Sequence, residues 1–476
     1  MPPLLVLCIC TAFVLYMLRL DRKQSPEVSF ALWVPTIWIL TIFSRPLSLW
    51  LQLGAETIEE GSPVERAFLI SLLIVGLFIL AKRKFNWLGA IRENVWVLLL
   101  LCYMLLSCLW SDIPFISFKR WSQQLIAVVM VFVVAGETNV KQALASIFRR
   151  IVYILIPFSY ILIHYFPQYG RFYLHHEGIL MWTGAAMHKN TLAQLCLFSA
   201  LFMIWTLIRR RQGKDTPASP YQTVFDVLIL MLSFWLWGGP QHTLTYSATA
   251  TVAFVLGMSF FLFLFWAEKR GALPGKAVLI ALTAFIIIYG TVTPMIGKLT
   301  ILDPSSLLGR EDTLTGRTAV WAKLIPSVME KPILGYGFSS FWTTTARETF
   351  DIPDAHNGYL DMILSIGFAG LLLYAMFLLS SVRKAHGAMM GDFDWSILWI
   401  CYLLMGTLIN ITESSFSSFS AKLVVVVLLF TFSLPKNTSA NSVSQMQSDA
   451  HSEKACYDQL PDIAHSDIYQ ERQLIG

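Results

Sequence analysis

Charge is what this chain has least of: only 14% of its 476 residues are Asp, Glu, Lys or Arg, against ~25% in soluble domains. That scarcity excludes an ordinary solvated fold. Also missing are a Gly-rich nucleotide loop, a Ser-His-Asp arrangement and a carboxylate-rich cage, which argues against ATP-driven transport, hydrolysis and a resident metal. No cofactor is called for. Cysteine adds no chemistry, because Cys8, Cys10, Cys102, Cys108, Cys196 and Cys401 sit in apolar runs without zinc-ligand spacing. Those six are predicted to be small core residues, and Cys456 stands apart in the polar C-terminal stretch. The opening MPPLLVLCIC has no basic n-region and no small-residue cleavage pattern, so a retained first helix is predicted. The net charge of +5 is no footprint of nucleic-acid binding, since the basic residues fall in short clusters between apolar runs.

What is present is apolar length. Hydrophobic residues make up 56% of the chain and mean hydropathy is +0.60, with repeated apolar runs of the length that crosses a bilayer as a helix. Spans are predicted over 3–18, 30–50, 67–81, 95–110, 125–135, 147–166, 191–207, 224–237, 247–266, 277–295, 360–381, 397–411 and 423–434. The fold class is therefore all-α: a polytopic integral membrane protein with about 12–13 transmembrane helices. Four regions are predicted: N-terminal spans (1–295), one large loop with short helices (296–358), C-terminal spans (359–434) and a disordered tail (435–476).

Basic clusters orient the spans. Arg19, Arg22 and Lys23; Lys82, Arg83, Lys84 and Arg92; Lys141, Arg149 and Arg150; Arg209, Arg210, Arg211 and Lys214; Lys269, Arg270 and Lys276; and Arg383 and Lys384 occupy alternate connections. The positive-inside rule makes those connections cytoplasmic, with the tail, and puts the large loop outside the cytoplasm. The connection from Gly54 to Glu65 is acidic and faces outward by the same rule. In the large loop Arg317, Trp321, Leu324 and Val328 recur at helical spacing up to a stop at Lys331-Pro332. This predicts an amphipathic helix on the membrane surface. Gly335-Tyr336-Gly337 then reads as a tight turn, and Phe338, Phe341 and Trp342 as interfacial aromatics.

The candidate chemistry clusters on the same outward face. His356 and Asn357 precede a span that carries Gly367 and Gly370. Asn357 suits an N-cap, and an imidazole just ahead of a helix N-terminus is favoured in its neutral, proton-accepting form. The competing role for His356 is a capping residue at the interface. The two glycines would let a neighbouring helix approach closely. Arg317 lies in Thr313-Leu314-Thr315-Gly316-Arg317-Thr318, where a guanidinium beside a helix start suits an anion. Arg310, Arg120, and Lys189-Asn190 at the start of another span add donors on that face. Should His356 serve only as a cap, Glu311, Asp312, Asp354 and Asp361 are the remaining candidate bases.

Taken in order, Ser44-Arg45-Pro46-Leu47, Glu60-Gly61-Ser62-Pro63 to Arg66, Trp110-Ser111-Asp112-Ile113-Pro114, His188-Lys189-Asn190, Thr313 to Arg317, Gly335-Tyr336-Gly337 and His356-Asn357 to Gly370 form a pattern. The pattern resembles the O-antigen ligase and O-antigen polymerase superfamily, on the side of the ExoQ-like exopolysaccharide polymerases. The resemblance implies a GT-C-like architecture and metal-independent glycan transfer from a polyprenyl pyrophosphate carrier at the periplasmic face of a bacterial inner membrane. It implies His356 and Arg317 as catalytic residues. Arg120, Lys189, Asn190, Arg310, Asn357, Gly335 and Gly337 would bind substrate. Implied partners are the lipid-linked oligosaccharide, membrane lipids, a chain-length-regulating co-polymerase and export machinery. Where many ligases carry Ser-Arg before the large loop, this chain reads Thr245-Tyr246-Ser247-Ala248-Thr249, so Arg120, Arg310 or Lys189 is expected to stand in. Ligation to a lipid core, transport or flipping, and a non-catalytic scaffold are the rival functions; a transporter would show interrupted helices and ionisable residues deep in its spans.

Overall fold

The computed structural model describes residues 2–53, 62–83, 85, 87–173, 180–240, 247–296, 312–414 and 422–434, with side chains for all but 312–316 and 422. Arg310, Glu311, most of the acidic connection, Thr245, Tyr246, Cys456 and the tail lie outside the described residues. The N-terminal helices are α1 (Pro3–Gln24), α2 (Trp33–Phe43), α3 (Leu47–Trp50), α4 (Pro63–Lys82), α5 (Trp87–Glu93), α6 (Val95–Ser107), α7 (Pro114–Ala135), α8 (Val140–Tyr165) and α9 (Pro167–Gly170). They continue as α10 (Lys189–Arg211), α11 (Gln222–Gly238), α12 (Ala248–Lys269) and α13 (Lys276–Ile296). After them come α14 (Asp312–Glu330), α15 (Thr344–Phe350), α16 (Gly358–Met389), α17 (Phe393–Ile409) and α18 (Lys422–Ser433). A small antiparallel hairpin, Arg171–Tyr173 with Leu180–Trp182, has no counterpart among the predicted elements.

Every predicted span falls on a helix. Among the described residues, eight helices are long and apolar enough to cross a bilayer, a bent pair over 87–110 adds a ninth, and four apolar helices are shorter. α8 and α10 run through the middle of the bundle, with 83% of their central windows buried, while α1 and α4 turn most of their apolar residues outward. The outward side chains include Leu4, Ile9, Ile70, Ile74 and Phe78, which suits contact with lipid. Cys8 and Cys102 are also exposed, so only Cys108, Cys196 and Cys401 behave as the predicted core cysteines.

The basic clusters gather at one end of the bundle, and several are buried against carboxylates. Asp21 of α1 accepts from Arg149 Nε at 2.8 Å and Arg150 Nε at 2.9 Å. Asp226 of α11 pairs with Arg210 at 2.6 Å, Asp394 of α17 with Lys214 at 2.9 Å, and Glu137 with Arg83. The spacing of these residues set an expected side of the membrane but gave no sign that they link α1 with α8, the ends of α4 and α7, and α10 with α11 and α17. At the opposite end lie the starts of α7, α10, α12 and α16 and residues 331–357.

α16 is broken, which the spacing did not anticipate. Ile366 (φ −131°, ψ 15°) and Gly367 (φ 67°, ψ −175°) leave the helix, and the residues after Glu330 fill the gap. Phe368 N–H donates to Pro332 O at 2.9 Å and Ala369 N–H to Ile333 O at 3.2 Å. Leu364 O accepts Tyr336 N–H at 2.9 Å, and Ile366 O accepts the Tyr103 hydroxyl at 3.1 Å. Four backbone groups at the break thus find partners inside the protein, as an apolar setting demands. The neighbour that Gly367 admits is therefore this loop backbone, not a helix, and Gly370 packs under Ile366. A second interruption is the 87° bend between α5 and α6. It is pinned at Asn94, whose Oδ1 accepts from Lys384 Nζ of α16 at 2.6 Å.

Two outcomes follow from this architecture. Alkaline phosphatase fused after Ser339 should be active and fused after Asn437 inactive, and the reverse pattern would invert the assigned faces. Gly367→Ala puts a Cβ into the Ile333 carbonyl at a left-handed φ, a cost of about 2–4 kcal/mol. Membrane abundance and heat resistance in detergent should fall together, whereas wild-type values would show that the break tolerates a side chain.

Candidate functional site

α17 ends at Ile409, and each of the next five residues bonds a different part of the outer face. Asn410 O accepts Gly358 N–H at 2.9 Å, and Ile411 O accepts Asn357 Nδ2 at 2.9 Å. The Thr412 hydroxyl meets that of Thr249, on α12, at 2.7 Å. Glu413 Oε1 accepts from Asn190 Nδ2 of α10 at 2.7 Å and from Arg317 Nη2 of α14 at 3.2 Å. The Ser414 hydroxyl lies 3.1 Å from Asp354 Oδ1 and also bonds Asp361 of α16. Two predicted donors, Arg317 and Asn190, thus converge on one carboxylate oxygen. Among the described residues, no three His, Cys, Asp or Glu side chains are placed to hold a metal ion.

His356 sits on a tight turn held from several sides. Asp354 Oδ1 accepts its backbone N–H at 2.8 Å and lies 3.2 Å from its Nδ1. Ala355 N–H donates to Asp361 Oδ1 at 3.2 Å, Ala355 O accepts Trp321 Nε1 at 2.8 Å, and Trp342 Nε1 donates to Asp361 Oδ1 at 2.7 Å. The result is a left-handed φ of 49° at His356, uncommon for a residue with a Cβ. Its imidazole remains about one-third exposed. A carboxylate beside Nδ1 favours the ring proton there and leaves Nε2 as the accepting nitrogen.

Asn357 has the predicted capping role. Oδ1 accepts Leu360 N–H at 2.9 Å, and Nδ2 donates to Gly290 O and Ile411 O, each at 2.9 Å. Fully buried, with both amide hydrogens used, it aligns α13, α16 and the end of α17 and leaves no donor for a substrate. Gly335 and Gly337 have positive φ and are buried against Ser365–Gly367 and Ser111 respectively. They allow close packing of the turn. Arg120 donates to the Ser339 carbonyl in the same segment. Lys189 opens α10 beside Asn190, with His188 as N-cap.

The predicted amphipathic helix exists as α14, but its stripe faces protein: Trp321, Leu324 and Val328 are all buried. Phe338 is buried too, while Phe341, Trp342 and Phe350 pack together. Beside them the Tyr336 hydroxyl bonds Glu330 Oε2 at 2.8 Å and Ser327 O at 3.1 Å. Burial and the Glu330 carboxylate push that phenol up to about 12, so it stays a donor. Other motif residues brace this face. Arg45 holds Thr183 Oγ1 and Ala186 O, each at 3.2 Å, just ahead of α10. Ser111 pairs with Ser117 at 2.7 Å under Gly337.

Glu413 and Ser414 were not anticipated. The available signal was a polar run, Asn410 to Ser414, closing an apolar span and carrying the one acidic residue of 410–421.

The comparisons bear on the same region. Residues 242–375 match the family model described as O-Antigen ligase. The chain is also 21% identical over 313 residues to the Exopolysaccharide production protein ExoQ of Rhizobium meliloti (strain 1021), an alignment covering 62% of this chain and 66% of that protein. The chain thus spans about two thirds of the length of the curated relative it matches. With the polytopic helical fold and the ordered motifs, these matches support placing this membrane protein in the O-antigen ligase/ExoQ-like superfamily.

Proposed function

We propose that the protein polymerises polyprenyl-pyrophosphate-linked oligosaccharide repeat units into exopolysaccharide at the periplasmic face of a bacterial inner membrane. The observation that carries this reading is the convergence of Arg317 and Asn190 on one Glu413 oxygen. Two donors from different helices aimed at a single anionic oxygen also suit a phosphate oxygen, which would compete with Glu413 for them. Arg310 and Arg120 are the further cations proposed to meet the donor, with Lys189 at the start of α10. A co-polymerase and export machinery remain proposed partners.

In this reaction the acceptor hydroxyl oxygen forms a bond to the anomeric carbon of the donor sugar. The bond from that carbon to the pyrophosphate breaks, and its electron pair leaves with the carrier pyrophosphate. The hydroxyl proton passes to His356 Nε2. Arg317 stabilises the negative charge that grows on the leaving group, and His356 raises the nucleophilicity of the acceptor. Using an energised carrier removes any need for a nucleotide sugar outside the cytoplasm.

The family model's description, O-Antigen ligase, favours a second reading in which finished glycan moves to a lipid core. The donor chemistry is shared and the acceptor differs. A transporter reading would draw on the broken α16, but the freed backbone groups there are bonded to the 332–336 segment and Tyr103 instead of lining a path.

Purified protein given lipid-linked repeat units alone should make longer carrier-linked chains. Product only when core lipid is added would establish ligation, and no transfer under either condition would remove the enzyme reading. In the same assay Arg317→Lys should lose most of its activity, roughly tenfold or more, because a planar fork becomes a point charge. Wild-type turnover at equal abundance would take Arg317 out of pyrophosphate binding.

A further inference from the structure

The chemistry proposed above needs an imidazole with Nε2 unprotonated, and nothing in a histidine by itself selects that tautomer. The turn around His356 contains the group that can. Asp354 Oδ1 lies 3.2 Å from Nδ1, accepts the His356 backbone N–H at 2.8 Å, and has the Ser414 hydroxyl at 3.1 Å. One oxygen therefore holds the backbone and lies beside the ring of the same residue. Behind it, Asp361 holds Ala355 N–H, Trp342 Nε1 and Ser414, so the loop carrying Asp354 is fastened to the first turn of α16. Asp361 is buried and His356 is not. The arrangement thus has a fastened end and an open end, with Asp354 between them.

We infer that Asp354 is the positioning residue for His356: its carboxylate accepts Nδ1–H, keeps the proton off Nε2 and steadies the imidazolium formed when the acceptor hydroxyl gives up its proton. The inference rests on the general-base role proposed for His356. The proton moves from the acceptor oxygen to Nε2, Nδ1 keeps its own, and Asp354 stays ionised throughout. Among the described residues, the charged groups bonded around this turn include Asp361, Glu413 and Arg317, and the packed elements also carry Lys323 and Glu330 on α14 and Arg347, Glu348 and Asp351 at α15. Glu413 and Arg317 pair with each other, and Asp361 is bonded three times over.

Asp354→Asn is the informative change. Its amide oxygen can still accept the His356 N–H and the Ser414 hydroxyl, so the turn should survive. With the amide oxygen kept in that place the carboxylate charge beside Nδ1 is gone, which weakens the preference for Nδ1–H and for the imidazolium formed in the transfer. In the purified repeat-unit assay, at matched abundance, kcat should fall about 10²-fold or more while donor KM changes less than about threefold. The acid limb of the rate profile should move to lower pH, because the carboxylate that favours imidazolium is gone. Asp354→Glu keeps a carboxylate and should leave that limb near its wild-type position, giving a readout should the Asn protein fold poorly.

His356→Gln and the double variant separate the inference from the reading beneath it. Asp354→Asn should cost less than about threefold more once His356 is already Gln, since the two act as a unit. Losses that multiply in the double variant, or identical acid limbs in the Asn, Glu and wild-type proteins, would overturn the positioning role. A normal Asp354→Asn rate beside an impaired His356→Gln would overturn it alone. A normal His356→Gln rate would end the general-base reading, and this inference with it.

Discussion

The outer face depends on one constraint: a chain leaving an apolar helix still has backbone and side-chain polar groups that must find partners inside the protein. At the end of α17 those groups belong to Asn410 through Ser414, and the partners they find lie on α10, α12, α14 and α16 and on the turn before α16. Without that run Arg317, Asn190 and His356 would stand on separate elements with no common anchor. Asn357 works from the opposite side, giving its two amide hydrogens to α13 and to Ile411. The two sets of bonds hold the starts and ends of several spans in one register, and the candidate site is where they meet.

The break in α16 extends the same logic. A continuous helix from Gly358 to Met389 would leave the 332–336 segment with no unpaired α16 backbone groups to bond. Opening it at Ile366 and Gly367 creates donors and acceptors that this segment satisfies, and Gly335 and Gly337 let its backbone come close enough to do so. The segment between α14 and α15 is thereby docked into the membrane helix itself. Trp321 of α14 and Trp342 beside α15 then reach the 355–361 stretch with their ring N–H groups. The route from Pro332 to His356 is a chain of specific hydrogen bonds.

Much of this was legible from residues. Apolar length and period located the apolar helices, of which eight, or nine with the bent pair, are long enough to cross a bilayer among the described residues, against the 12–13 expected. Trp321, Leu324 and Val328 announced α14 through their spacing, and Asn357 its cap through its position. What spacing could not supply was direction. An apolar stripe looks the same whether it meets lipid or protein, so α14 was expected on a membrane surface and instead packs inward. Gly335, Gly337 and Asn357 stood within the motif pattern, and sequence offers no means of distinguishing a residue that touches substrate from one that lets the backbone fold. Glu413 and Ser414 were hidden for the converse reason: they sit just past a span, and their partners are distant in the chain.

The two ends of the bundle use the same residue types in different states. At the basic end Asp21 is 1% exposed and faces two buried arginines, Asp226 is wholly enclosed with Arg210, and Glu137 is nearly so with Arg83. Taking one partner from such a pair leaves an uncompensated charge in an apolar interior and costs about 3–5 kcal/mol, so those pairs hold the helices together and do not exchange. At the outer end the Arg317–Glu413 pair retains 20% and 14% side-chain exposure, and Asn190 shares the same Glu413 oxygen. On the function proposed above, a phosphate arriving at that pair would replace one anion with another while keeping both donors occupied. The sharp contrast is with the enclosed Asp21 and Asp226 pairs, because Lys214 with Asp394 and Arg83 with Glu137, at the same basic end, leave their cations 47% and 20% exposed.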